Sequence, residues 1–100
     1  MTTFKIPLAN GVHTFAVEDV ESANHLLTFQ YTEHASAGTI TVSCRAPGAP
    51  IGSFIPVSGG DKMPVTQNNL LDFKFPIVEI QFVLENISGD GHVIATLSNW

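Results

Sequence analysis

Along most of this chain apolar side chains recur at every second residue, and that period fits a β-strand with one buried face. The cleanest run is Gly38-Thr39-Ile40-Thr41-Val42-Ser43-Cys44-Arg45, where Ile40, Val42 and Cys44 share one face and Thr39, Thr41 and Ser43 the other. From Ile77 to Glu85, Val78, Ile80, Phe82 and Leu84 point one way; Ile77 and Val83 join Glu79, Gln81 and Glu85 on a half-polar opposite face. His25 to Thr32 gathers Leu27, Phe29 and Tyr31. Leu71, Phe73 and Phe75 alternate with Asp72 and Lys74, and Val93, Ala95 and Leu97 with Ile94 and Thr96. Weaker strands are expected at Thr3–Leu8, Val12–Val17 and Ser53–Val57. A helical turn is plausible on pattern only between Glu18 and His25.

Turn chemistry punctuates these runs. Asn10-Gly11 suits a tight hairpin, because both residues tolerate positive φ. Ser88-Gly89-Asp90-Gly91 is expected to close a C-terminal hairpin between the Ile77 and His92 strands. Pro47-Gly48-Ala49-Pro50 and Ser58-Gly59-Gly60-Asp61 are loop signals, and Pro76 marks a bulge or a break. The expectation is one all-β domain over residues 1–100, a single antiparallel β-sandwich, Ig-like or jelly-roll-like, of about eight short strands. With 44% hydrophobic residues the 100-residue chain has enough apolar content for one core, and its single cysteine excludes an internal disulfide.

Charge narrows the function classes. Nine acidic against four basic residues give a net charge of −5, which repels phosphate backbones and argues against nucleic acid as a partner. The N-terminus has neither the basic start nor the apolar run of a secretory signal, and no run reaches the ~18 apolar residues of a spanning helix. Synthesis in a host cytoplasm without a signal peptide, and no membrane partner, are the expectations. Only 13% of residues are charged, and the outward strand positions carry Thr, Ser and Gln, with Val83, Ile77 and Ile94 among them. Such faces fit either subunits that cover them or ordinary exposed apolar surface.

No residue cluster announces chemistry. His13, His25, His34 and His92 show no i,i+2 or i,i+4 pair, so the expectation is surface histidines and no metal. Cys44 lies on an apolar face and reads as a small core hydrophobe rather than a nucleophile. Glu18, Asp19 and Glu21 read as a solvated loop, while Asp61 and Asp90 sit in Gly-rich turns. Gly59-Gly60-Asp61-Lys62 lacks the spacing of a phosphate loop, and Asn86-Ile87-Ser88 matches a glycosylation sequon that has no meaning without secretion. No cofactor and no catalytic residue are expected. Trp100, the last residue of the sequence, folds back onto the sandwich or docks on a neighbour.

From Gly38 to Ser98 the order of elements resembles the small β-sandwich structural proteins of tailed-bacteriophage virions. The resemblance rests on the Gly38-Thr39-Ile40-Thr41-Val42 strand and the Phe54-Ile55-Pro56-Val57 strand. It continues through Ile77-Val78-Glu79-Ile80-Gln81-Phe82-Val83-Leu84, followed by Gly89-Asp90-Gly91. It is carried by pattern rather than by a diagnostic motif, and the first 35 residues do not share it. It implies a non-enzymatic capsid decoration or cement protein that bridges neighbouring capsid subunits, with the major capsid protein as partner and a homo-oligomer, a trimer first, as its state. A tail, neck or fibre-base component is the alternative within the virion. A carbohydrate- or peptide-binding β-sandwich module is the alternative outside it. Phe4 and Ile6 near the N-terminus, with Trp100, are the candidate partner contacts; for Phe4 and Ile6 the competing reading is the first strand of the sandwich.

Overall fold

The computed structural model describes residues 1–18, 22–32 and 36–99. Nine strands follow in order: β1 (Thr2–Pro7), β2 (Gly11–Ala16), β3 (His25–Tyr31), β4 (Ala37–Arg45), β5 (Ile55–Pro56), β6 (Met63–Pro64), β7 (Asn69–Phe73), β8 (Glu79–Ser88) and β9 (His92–Asn99). No helix occurs among the described residues. The strands form two antiparallel sheets, one in the order β1-β9-β3-β7 and the other β2-β8-β4-β5, with β6 also pairing β4. The expected all-β sandwich is therefore what this chain builds.

The pairings are nested. β1 pairs with β9, β2 with β8, β3 with β7, and β4 with the short β5 and β6. The chain is thus one long antiparallel ribbon whose tip lies after β4. Rolling that ribbon adds the β3–β9 and β4–β8 pairings and closes two facing sheets. This order is a jelly roll, the second of the two topologies expected.

Nesting overturns both expected hairpins. The turn at Asn10-Gly11 carries the chain from β1 in one sheet to β2 in the other, and residues 88–91 likewise carry β8 across to β9. Tight reversal is satisfied locally, but each strand finds its partner at the far end of the ribbon: Thr2 lies opposite Leu97. Pro76 is a break, and Ile77 precedes β8 instead of lying on its outer face, so its side chain is fully buried. Asn86-Ile87-Ser88 extends β8 beyond its expected end. The start of the expected helical turn falls on residues 19–21, outside the described residues, and its end, His25, opens β3.

Alternation does place the core. Ile40, Val42 and Cys44 of β4, Ile80, Phe82 and Leu84 of β8, Leu27 and Phe29 of β3, and Val93, Ala95 and Leu97 of β9 are all buried. Their centre is aromatic. Phe82 packs against Phe4 at 5.9 Å, Phe15 at 6.0 Å and Phe29 at 6.1 Å between ring centroids, joining strands of both sheets. At the far end of β8 an irregularity opposes Gly38 to Asn86 and Ile87, with Asn86 at φ 56° and Gly38 at φ 125°. A Cβ on Gly38 would stand 2.9 Å from Ile87 Cα, so no side chain fits there. Asn10 Oδ1 accepts the Ile87 amide at 2.8 Å, tying the β1–β2 turn to the same bulge.

Two substitutions test this account by urea titration. Phe82→Ala removes the ring shared by both sheets and is expected to cost about 3–5 kcal/mol, a large part of the stability of a domain this size. Gly38→Ala should cost at least ~2 kcal/mol through a strained φ and a backbone clash. A midpoint unchanged from wild type in either variant contradicts the packing described.

Candidate interaction surface

The structure puts Phe4 and Ile6 on the inner face of β1, both buried, Phe4 against Phe15 at 4.9 Å. This corrects their placement as partner contacts: β1 is the first strand of the sandwich, and alternation turns these two side chains into the core. Trp100 lies outside the described residues.

The histidines are not all on the surface. His25 is fully buried; its ring stacks on Phe73 at 4.9 Å and its Nδ1 donates to Asn99 Oδ1 at 2.6 Å. The odd-residue alternation that buries Leu27 and Phe29 places His25 inward as well, so the signal was present in the sequence. His13 and His92 are half-buried on different sheets, and His34 lies outside the described residues. Among the described residues no three His, Cys, Asp or Glu side chains converge, and no cavity forms. No helix among them is long and apolar enough to cross a membrane.

Glu18, Asp61 and Asp90 are exposed; Asp19 and Glu21 lie outside the described residues. Gly60 fills a packing role, since a Cβ there would approach Leu71 Cδ1 at 3.1 Å and Val42 Cβ at 3.3 Å. Tyr31 is half-buried against the core, and its hydroxyl accepts from Asn69 Nδ2 at 3.3 Å.

What the surface does offer is apolar. From Ala46 to Gly60 the chain carries no charged residue, and its first part projects from the end of β4. Two successive turns shape that projection: Ala49 N donates to Ala46 O at 3.1 Å, and Ser53 N to Pro50 O at 3.0 Å. Each turn has a glycine in its third position, Gly48 at φ 82° and Gly52 at φ 87°, as a type II turn requires. Ile51 sits in the second position of the second turn and is 92% exposed; Pro47, Pro50, Ile55 and Pro56 of the same charge-free segment are exposed too. Sequence reading recognised the loop but not that its turns hold an isoleucine out into solvent.

The loop is anchored at its base. Arg45 Nη1 donates to Ala49 O at 2.9 Å, while Arg45 Nε pairs with Glu79 of β8 at 2.5 Å. Both side chains are partly buried, so the pair is less screened than a surface ion pair. An apolar tip on a fixed backbone loses little conformational freedom when it docks.

No family model matches the chain, and no curated protein matches it in sequence.

Cys44 tests the burial of β4. Burial alone pushes its thiol up to about 12. It should therefore resist alkylation at neutral pH and react only at the rate of global unfolding; prompt labelling of the folded protein contradicts its placement. The sign of the pH effect follows. Below the unfolded thiol's pKa of about 9 both states are protonated and stability is unaffected. Above it only the unfolded state ionises, so stability falls as pH rises from about 9 towards 12.

Proposed function

We propose that this chain is a non-enzymatic structural protein of a tailed-bacteriophage virion, first a capsid decoration or cement protein, whose work is to dock on neighbouring protein subunits. The observation that carries this reading is the charge-free, anchored loop with Ile51 at its tip. An apolar knob on a rigid support fits a protein socket better than an aqueous solute. The jelly-roll order supports it by fold-level analogy, since that topology recurs in viral capsid domains. The resemblance over residues 38–98 points the same way. The partner in this reading is the major capsid protein. A cement protein spreads its binding over several contacts, so an individually modest knob per chain, multiplied across a shell, is sufficient.

The negative charge and sparse basic residues suit docking on protein rather than on packaged nucleic acid. A tail, neck or fibre-base position uses the same docking chemistry and differs only in where on the particle the chain is found.

The test uses purified particles of the phage that encodes the chain, probed with antibody against it by electron microscopy. Label on the head supports the decoration reading, label on the tail moves the chain to the alternative position, and unlabelled particles overturn both. Co-sedimentation with expanded capsid shells then tests the loop. Ile51→Asp is expected to weaken binding at least about tenfold, while stability stays within about 0.5 kcal/mol of wild type because the side chain is exposed.

A further inference from the structure

We propose that the free edge of β2 pairs with the same edge of a second copy of this chain, antiparallel across a twofold axis at Thr14. The inference goes beyond the virion reading and does not depend on it.

The direction of the backbone groups is fixed by the bonds around it. Val42 N donates to Gly60 O at 2.8 Å and Val42 O accepts from Val57 N at 3.1 Å, so the even residues of β4 face away from β8. The odd residues of β4 and β8 therefore bond to each other, and the even residues of β8 bond to β2. Val17 N donating to Val78 O at 2.9 Å confirms the phase. Gly11, His13 and Phe15 accordingly face β8, and Val12, Thr14 and Ala16 turn their N–H and C=O outward. No described residue hydrogen-bonds to those outward backbone groups.

Such an edge is a template for strand pairing unless it is protected, and the other edges of this fold are. By the same reckoning the free edge of β1 carries Lys5 and Pro7, and that of β7 carries Asp72. β5 and β6 are two residues long and each contains a proline. β2, Gly-Val-His-Thr-Phe-Ala, has no proline or bulge, and its only ionisable side chain, His13, lies on the inner face. Its outer face presents Val12, 61% exposed, with Thr14 and Ala16 beside it.

The edge is complementary to itself. With the axis at Thr14, Thr14 opposes Thr14 and Val12 opposes Ala16 of the second copy, so all three outward residues exchange both of their backbone bonds. A centre one residue away leaves part of the edge unpaired. Extended in the same register, Glu18 falls against the second copy's Asn10 rather than against another acid. The same pairing on β1 would set Lys5 against Lys5. A twofold closes two chains, so the state inferred is a dimer in place of the trimer favoured by resemblance.

Light scattering on the purified chain from about 5 to about 500 µM measures the association. The expected mass rises towards twice the 10.7 kDa of one chain. Thr14→Pro removes an outward N–H that the monomer does not use and should weaken the dimer at least about tenfold. Thr14→Lys and Thr14→Glu should each be monomeric at concentrations where wild type is dimeric, and an equimolar mixture of the two should dimerise, because opposite charges then face each other. Circular dichroism checks folding; the Lys and Glu pair decides the matter if the proline variant does not fold. A monomer throughout, a dimer that survives these substitutions, or charged variants that fail to restore each other overturns the proposal.

Discussion

Phe82 is where the two sheets meet. Its ring reaches Phe4 of β1 and Phe29 of β3 in one sheet and Phe15 of β2 in its own. In a fold whose partners come mostly from opposite ends of the chain, turns fix few of the pairings: among the described strands β4 and β5 alone are both consecutive and paired, through two residues each. Register must come from inter-sheet packing, and a shift of one residue would turn every core side chain of a strand outward. The aromatic group sets that register for β1, β2, β3 and β8 together. Closing such distant pairs with only the short β4–β5 pairing local also makes the expected folding slow, in the range of other β-sandwiches.

The periodicity of the sequence marked the longer strands and the buried faces of β3, β4, β7, β8 and β9, but not the two-residue β6. Val78, grouped by alternation with Ile80 and Phe82, lies before β8 and is only half-buried. Periodicity placed Ile40, Val42, Cys44, Phe82 and Val93 correctly because a strand's side chains alternate whatever its partner is. It was silent on pairing for the same reason. Asn10-Gly11 permits a reversal of direction, and a hairpin and a crossing between sheets both satisfy that preference while burying Phe4 and Phe15 in one core. Ile77 was misplaced because alternation was extended through a break that Pro76 had already signalled. The candidate surface was less legible still. Phe4 and Ile6 obey the alternation that makes them core, whereas Ile51 and the β2 edge acquire their meaning only from turn geometry and sheet order.

Charge on this protein is sparse and placed. Lys5 and Asp72 lie on the free edges of one sheet, Arg45 and Glu79 are spent on anchoring a loop, and Glu85 stands near the far end of β8. Between them the outer face of the second sheet carries the row Thr14, Gln81 and Ser43, with Gln81 Nε2 donating to Thr14 Oγ1 at 3.4 Å. With so few charges available, leaving β2 without one is a distinctive choice, since a single lysine at Val12 or Thr14 would cost the monomer little and would close the edge to pairing.

The two apolar features stand in a definite relation. Ala16 of β2, Glu79 of β8 and Arg45 of β4 form one row across the sheet, so the Ile51 loop leaves the sandwich at the Ala16 end of β2. Antiparallel pairing across Thr14 reverses the strand direction in the second copy. The proposed dimer therefore carries its two loops at opposite ends of a continuous sheet. A body of that form cannot set both loops into one compact site, but it can span two neighbouring subunits, each taking one loop. In the docking role proposed above, seating the first loop would let the second dock at an effective concentration set by the sheet rather than by a flexible tether. Bridging would then follow from symmetry, with each loop contact individually modest and the pair of them strong.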